Sequence, residues 1–171
     1  MTRPGNLWMV TTIALAAGLA AGCATVTRYD ASQDIREFLV AVRDGDRAAF
    51  DAHIDRPALK ANMRARLLAA AAGRYGAQSR ETVGALAAGP LVDVAVDALV
   101  RPQVFKAAAE LAGYGPQTRI PPSIGITRDV TSLGSDRVCA MVKGKCAFIF
   151  KHEEGGWRMI DFEGDLGLLK R

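Results

Sequence analysis

The hydrophobic period changes along this chain, and that change limits the folds open to it. Apolar side chains recur at Ile35, Phe38, Leu39 and Val42, which is the i, i+3, i+4, i+7 spacing of one helix face. From residue 137 onward the period becomes two, which is typical of strands. Helices followed by an antiparallel meander define an α+β domain. The sequence therefore predicts N-terminal helices packed on a C-terminal antiparallel β-meander of three to four strands.

Capping and turn residues predict where the first helices begin and end. Asp30 or Ser32 caps the first helix and Asp44-Gly45 ends it, so residues 24–31 are predicted to be an irregular tether. Asp46 then caps a short second helix. These boundaries place the start of the folded domain at about residue 32.

A third helix is predicted to open at Asp55, with Pro57 in its first turn. Lys60 and Arg64 lie on its polar side. The residues predicted for its buried side are Leu59, Met63, Leu67 and Ala70.

The middle of the chain is harder to assign. Residues 90–100 fit both a helix and a strand, and we favour a helix because Arg101-Pro102 then opens another helical stretch that ends at Gly113. Residues 113–125 are rich in glycine and proline and are predicted to form a loop. The predicted strands are an edge strand at Ile126–Val130 and three further strands, Arg137–Val142, Cys146–Phe150 and Trp157–Phe162.

The first 22 residues are typical of a secretory signal peptide. One basic residue, Arg3, precedes the apolar run Leu7–Ala21, which is shorter than the roughly 20 residues that a membrane-spanning helix needs. The run ends in Leu19-Ala20-Ala21-Gly22-Cys23, which resembles the lipobox of bacterial lipoproteins, although Ala20 stands where leucine is commonest. An ordinary secretory signal cut near Ala24, leaving a soluble periplasmic protein, is the alternative.

The lipobox resemblance implies that Cys23 is lipidated after residues 1–22 are removed. Several acyl chains on one residue, such as palmitate, anchor a protein stably because each buried methylene contributes about 0.8 kcal/mol. Ala24 follows the cysteine where aspartate would suggest inner-membrane retention, so we expect the outer membrane, with the protein facing the periplasm. We therefore predict a lipidated tether over residues 23–31 and a single domain over residues 32–171.

The charge balance excludes one class of partner. The chain has 22 Lys+Arg and 18 Asp+Glu, so its net charge is +4 and falls to near +3 without Arg3. Nucleic-acid-binding proteins usually cluster basic residues much more densely on one face. We expect no nucleic-acid partner. The 149 residues left after cleavage are enough for one domain with its own core.

Cys139 and Cys146 lie on the two arms of a predicted hairpin. If Lys143-Gly144 forms the turn, the cysteines are diagonal neighbours about 7–8 Å apart, which is beyond easy disulfide reach. If the loop is Met141–Gly144, they oppose each other directly. The sequence leaves the register open. The oxidising compartment favours a disulfide over two small, buried free cysteines.

Several segments together resemble an uncharacterised bacterial domain-of-unknown-function family. Phe38–Asp46 resembles its "A-I-x-x-G-D" helix end, and Ile54–Lys60 resembles its "V-D-F-P-x-L-R" stretch. Leu91–Phe105 resembles its helix junction, and Glu154–Asp161 resembles its closing "G-x-x-W-K" strand. The chain departs from the pattern at Arg56 and Lys60, where Phe and Arg are usual. The resemblance implies a fold and boundaries but no activity.

The sequence gives little sign of catalysis or of a cofactor. His53 and His152 lie at element ends without a nearby nucleophile, and no G-x-S-x-G, H-E-x-x-H, P-loop or C-x-x-C motif occurs. Cys139, Cys146 and His152 lack the short spacings of zinc ligands, so we expect neither metal nor cofactor.

Two charged groups invite a functional interpretation, but a solvated surface explains each of them. Asp93 and Asp97 share one face of the predicted helix, where paired carboxylates sometimes do acid–base work. We interpret them as a polar stripe opposite the apolar face. A loose basic set is compatible with an anionic lipid head group, but it is more typical of a solvated helix face. Its members are Lys60, Arg64, Arg66 and Arg74.

Together these observations predict a lipid-anchored envelope protein that acts by binding or assembly and not by catalysis. The expected partners are the membrane, through Cys23, and either an envelope protein or an apolar small molecule held under the sheet. The alternative is an envelope hydrolase acting on cell-wall or lipid substrates. A cleft holding a perturbed carboxylate or histidine would favour that alternative.

Overall fold

The computed structural model describes residues 6–75, 90–111 and 113–162. Its helices are α1 (Asn6–Asp44), α2 (Arg47–Ala52), α3 (Arg56–Tyr75), α4 (Pro90–Leu99), α5 (Pro102–Leu111) and the single turn α6 (Ser123–Ile126). A 3₁₀ turn at Thr127–Asp129 leads into the strands β1 (Val130–Ser132), β2 (Arg137–Val142), β3 (Lys145–Glu153) and β4 (Gly156–Phe162). The strands form one antiparallel sheet in the order β1-β2-β3-β4. The predicted α+β fold is confirmed.

Helix α1 extends further towards the N-terminus than the sequence pattern indicates. Residues 24–31 are helical, so the prediction that they are irregular, with a helix start at Asp30 or Ser32, is wrong. Ala31 and Ser32 are fully buried, and the Ser32 hydroxyl donates to the Tyr29 carbonyl at 2.7 Å. Small residues carry this contact, so the apolar period does not reveal it.

The starts of α2 and α3 are formed as predicted. The Asp46 carboxylate accepts a hydrogen bond from the Ala49 amide at 3.1 Å, and the Asp55 carboxylate accepts one from the Ala58 amide at 3.0 Å. Each bond satisfies one of the amides left free at a helix start. Gly45, at φ +70°, provides the left-handed conformation that ends α1.

The assignments in the middle of the chain have mixed outcomes. Pro90–Leu99 is a helix, as favoured. The predicted strand Ile126–Val130 is wrong except at its last residue, because the Gly125 and Ile126 amides both donate to the Pro122 carbonyl and turn the chain into a helix. The side chains of Leu67 and Ala70, predicted to be buried on α3, lie outside the described residues.

Aromatic rings fill the space between the helices and the sheet. Phe38 on α1 contacts four other phenylalanine rings at centroid distances of 5.4–6.2 Å. Phe105 on α5 contacts four rings as well. The connected rings are Phe38, Phe50, Phe105, Phe148, Phe150 and Phe162, which are all six phenylalanines of the chain. Packed side chains therefore occupy the place where an apolar pocket was expected.

The β2–β3 hairpin has Lys143-Gly144 at its tip, with Met141 paired to Cys146. The sequence left this register open and associated it with cysteines too far apart to bond. In the structure Cys139 and Cys146 form a disulfide with a Cα–Cα distance of 5.7 Å. A bulge explains the difference, because Ala140 pairs with Phe148, so β3 carries an extra residue that bends the strand.

Strand β4 lies at an edge of the sheet, but its outer side is covered. The Met159 amide donates to the His53 carbonyl at 2.8 Å, and the Asp55 amide donates to the Met159 carbonyl at 3.1 Å. Two side chains of α3 continue this cover. Asn62 donates to the Ile160 carbonyl at 2.9 Å, and Arg66 donates to the Phe162 carbonyl at 2.8 Å. Such cover protects an edge strand from pairing with another chain.

Candidate functional site

Two aspartates one turn apart on α1 hold the β3–β4 hairpin. The Asp34 carboxylate accepts a hydrogen bond from the Trp157 main-chain amide at 2.7 Å. The Asp30 carboxylate accepts one from the Trp157 indole Nε1 at 2.8 Å. Hydrogen bonds to ionised groups are stronger than neutral ones. We call these three residues the Asp30–Asp34–Trp157 clamp.

The clamp depends on a glycine beside the tryptophan. Gly156 has φ +124°, a conformation that side chains rarely adopt. A Cβ atom at this position would lie 2.9 Å from the Asp34 Oδ2 atom. Gly155 also has a positive φ, but a Cβ atom there would meet nothing within 4 Å. The Gly-Gly-Trp sequence therefore serves both the turn and the close approach of α1.

A cleft of about 270 Å³ opens beside the clamp, between the first described side chains of α1 and the end of the hairpin. Its lining consists of Val26, Thr27, Asp30, Ser135, His152 and Trp157. The His152 ring lies edge-on to the Trp157 ring at a centroid distance of 5.1 Å. The cleft thus offers a carboxylate, an imidazole and a hydroxyl group next to apolar surface, which suits a polar group of a ligand or partner.

The second histidine lies away from this cleft. His53 is the C-cap residue of α2, and its Nε2 atom is 3.6 Å from the Glu37 carboxylate. Its carbonyl group accepts the Met159 amide that covers β4. Both histidines therefore make contacts that hold elements together.

The two acids of α4 face the bases of α3. Asp97 lies 2.9 Å from Lys60 and 3.5 Å from Arg56, while Asp93 contacts Arg64. Residues nearer the start of α3 contact the later acid of α4, and Arg64, further along α3, contacts the earlier one. The two helices are therefore antiparallel, with the bases of α3 opposite the acids of α4. The hydrogen bond from Lys60 lowers the pKa of Asp97, with further attraction from Arg56 and Arg101. We call these paired residues the α3–α4 ladder, which consists of Arg56, Lys60, Arg64, Asp93 and Asp97.

The predicted basic set is largely paired with acids. Lys60 and Arg64 belong to the ladder, and Arg66 contacts Asp161 at 2.6 Å. The side chain of Arg74 lies outside the described residues. The three described members are therefore neutralised within the domain, and this weakens their interpretation as a lipid head-group site.

The predicted lipidation site lies on α1. The backbone of Cys23 is helical and continuous with the buried part of that helix, while its side chain lies outside the described residues. Over the described part of the chain, no helix is both long and apolar enough to cross a membrane. Among the described residues, no group of three or more His, Cys, Asp or Glu side chains is arranged to hold a metal ion.

The fold defines an α+β protein whose first helix is clamped to a four-stranded meander. The chain matches the model of a family described as proteins of unknown function, DUF2939, over residues 13–108. The match covers more than half of the chain, which therefore belongs to this family. It begins within the predicted signal peptide and ends in α5, so the predicted likeness at Glu154–Asp161 lies outside it. No curated protein and no solved structure gave a significant match to the chain.

The residues of the clamp were not recognised as a site from the sequence. The sequence indicates Asp30 only as a helix cap and gives no sign of Asp34 or of Ser135 in the neighbouring cleft wall. Asp30 and Asp34 have the same i, i+4 spacing as Asp93 and Asp97, and that spacing is the signal that was available. Their partner is more than 120 residues away in sequence, and no local rule identifies it.

Proposed function

We propose that this chain is a lipoprotein of the bacterial cell envelope, anchored through Cys23 and facing the periplasm from the outer membrane. We further propose that it works as a non-catalytic binding or assembly module. One observation carries the proposal. The cleft beside the clamp is lined by Val26 and Thr27, which follow Cys23 by three and four residues, so a partner in it is held close to the anchor.

The contacts of the titratable side chains support binding over catalysis. Asp30 accepts a hydrogen bond from the Trp157 indole N–H, and Asp93 and Asp97 face cations of α3. His53 lies near Glu37, so each of these groups already serves the fold. Acid–base groups in enzymes are instead directed at the reacting atoms of a substrate.

An envelope protein is the partner we favour. The alternative partner, an apolar small molecule, needs an apolar cavity, and the place expected for it under the sheet is filled by the six phenylalanine rings. The cleft wall combines Asp30, Ser135 and His152 with apolar surface of Val26 and Trp157. Polar groups around a small apolar centre are typical of transient protein interfaces.

The anchor is tested with Cys23→Ser. We expect this variant to lose metabolic labelling by palmitate and to leave the membrane fraction, because the thiol that accepts the diacylglycerol is gone. The wild-type chain should carry label and sediment with outer membranes. A Cys23→Ser chain that still carries label and stays with membranes contradicts the lipoprotein proposal.

The binding role is tested by photo-crosslinking in intact envelopes. A photo-reactive amino acid replaces Ser135, an exposed residue of the cleft wall, or the matched control Gln103, an exposed residue on α5. We expect a discrete adduct from position 135 that is missing at position 103. The same pattern at both positions, or no adduct at position 135, contradicts binding at the cleft.

The hydrolase alternative rests on Asp30 and His152, which bring a carboxylate and an imidazole to the same cleft. It is tested by incubating the purified chain with peptidoglycan or phospholipid vesicles and analysing the products. Release of product that is abolished by His152→Ala, with the fold intact, would favour the enzyme over the binding module.

A further inference from the structure

The exposed side of α1 changes in polarity with distance from Cys23. Near the anchor it carries two large apolar side chains, Val26 and Tyr29, which are 69% and 43% exposed. Beyond Ser32 its exposed residues are polar or charged, namely Gln33, Arg36, Glu37, Arg43 and Asp44. Exposed large apolar side chains also occur elsewhere, so the position of Val26 and Tyr29 next to Cys23 is what sets these two apart.

The helix fixes the distance of these side chains from the anchor. Residues 23–44 belong to one helix, and α1 is buried in the domain from Ala31 onward. At a rise of about 1.5 Å per residue, Val26 lies about 4.5 Å and Tyr29 about 9 Å along the helix from Cys23. The polar head-group region of one leaflet is of similar thickness, roughly 5–8 Å. An acylated Cys23 therefore brings both side chains to the membrane interface.

The residue types suit that position. Tyrosine is enriched at membrane–water interfaces because its ring is apolar and its hydroxyl group remains hydrated. Asp30, which is also exposed, directs its carboxylate to the Trp157 indole and so has a partner within the protein. The negative charge of Asp30 is thereby held by the clamp.

We propose that Val26 and Tyr29 form a membrane-contact surface, so that the lipid anchor holds the domain directly on the bilayer instead of on a flexible tether. This inference rests on the proposed lipidation of Cys23. The lipid head-group region covers this surface. Because Val26 also lines the cleft, the cleft then opens at the bilayer surface.

The test places an environment-sensitive fluorophore on the lipidated protein that begins at Cys23. Val26→Cys is compared with the matched control Arg36→Cys, an exposed position about 20 Å along the same helix from Cys23. The protein is reconstituted into vesicles of phosphatidylethanolamine and phosphatidylglycerol. Mass spectrometry confirms the acyl groups, and vesicle flotation confirms anchoring, before the fluorescence is measured.

We expect the probe at position 26 to shift its emission to the blue, to lose most of its quenching by aqueous iodide and to be quenched by a head-group nitroxide lipid. The probe at position 36 should remain open to iodide. An acylated, vesicle-bound chain whose position-26 probe is as open to iodide as the position-36 probe overturns the contact surface but leaves the anchor standing.

Two other outcomes also overturn the inference. A chain without acyl groups removes the anchor and the contact surface together. Protection of position 26 in intact envelopes, but not in protein-free vesicles, shows that a partner protein covers the surface. Circular dichroism of both variants checks that α1 is still formed.

Discussion

Aspartates one turn apart on a helix occur twice in this protein, and the two pairs do different work. Asp30 and Asp34 bind main-chain and indole N–H groups of Trp157, which is 2% exposed. Asp93 and Asp97 bind the flexible side chains of bases on α3, of which Lys60 and Arg64 are 24% and 35% exposed. The spacing is the same, but the partners differ in rigidity and in burial.

This difference shows that the partner sets the energetic value of a charge. A fixed N–H group loses little conformational entropy when it is bonded, and little water competes for it at a buried position. A lysine or arginine at the surface loses rotamer freedom and remains screened by salt. We therefore expect the clamp to hold α1 to the sheet, and the ladder to align α3 with α4 at little gain in stability.

The largest loss in the free energy of unfolding is expected where apolar side chains attach α1 to the rest of the domain. Phe38, which is 1% exposed, contacts four phenylalanine rings, and Phe38→Ala should cost about 3–5 kcal/mol in the free energy of unfolding. Urea unfolding of the mature chain measures it. The control Arg36→Ala changes an exposed residue of the same helix and should stay within about 0.5 kcal/mol. A small effect of Phe38→Ala would show that α1 is not held by this face.

The disulfide between Cys139 and Cys146 stabilises the β2–β3 hairpin, and unlike the two aspartate pairs it involves no charged group. Closing the short loop between Cys139 and Cys146 should contribute about 2–3 kcal/mol on the loop-entropy model. Thiol titration of the unfolded, unreduced mature chain should find none of these two thiols free. Unfolding with and without reductant then measures the contribution. Two free thiols in the unreduced chain would contradict the bond.

Breaking the clamp should cost about as much as losing the disulfide, less than Phe38→Ala and more than breaking the ladder. Asp34→Ala removes the acceptor of the Trp157 amide, and the loss should be about 1.5–3 kcal/mol. Gly156→Ala brings a Cβ atom against Asp34 in addition to straining the backbone, whereas Gly155→Ala strains the backbone alone. Gly156→Ala should therefore be the more costly, and combining it with Asp34→Ala should reduce the excess. Equal costs of the two glycine variants in both backgrounds would show that α1 does not approach the turn closely.

The ladder should give the smallest effect and the strongest dependence on conditions. Asp97→Asn should cost at most about 1 kcal/mol, because both partners are partly exposed. The lowered pKa of Asp97 means that its contribution is present above the ordinary value of 3.8 and is lost as the pH falls below it. Salt screens such ion pairs. The free energies of unfolding of wild type and Asp97→Asn at neutral pH should therefore differ less at high salt than at low salt. A salt-independent loss as large as that of Asp34→Ala would remove the distinction between the two aspartate pairs.

Two ladder residues coincide with the departures from the family-like pattern. Arg56 and Lys60 stand where the resemblance implies Phe and Arg, and both lie near Asp97. Arg56 also donates to the Val100 carbonyl at 3.0 Å, which ties the start of α3 to the end of α4. The Arg56 guanidinium group thus has the Asp97 carboxylate and the Val100 carbonyl within reach.

Much of the fold could be predicted because its signals are local. The carboxylates of Asp46 and Asp55 cap their helices by accepting hydrogen bonds from amides only three residues ahead. The alternation in Trp157–Phe162 indicates a strand regardless of its neighbours. The helix over residues 24–31 is not predicted because, among residues 25–31, only Ala31 is buried, so the stretch has no apolar period. Its last turn is held by contacts of Ser32 with Tyr29 and Thr127. The candidate site was missed because Asp34 and Trp157 are 123 residues apart.

The sequence by itself determined the succession of helices and then strands, the caps of α2 and α3 and the presence of the β2–β3 hairpin, and it predicted the lipidation site at Cys23. Period, capping and turn chemistry act over a few residues, so they can be read from the chain directly. Only the tertiary structure decided that the diagonal cysteines bond, that β4 is covered by α3, and that two aspartates of α1 hold Trp157. Each of these depends on a bulge or on a contact between distant segments, whose geometry exists only once the helices lie on the sheet.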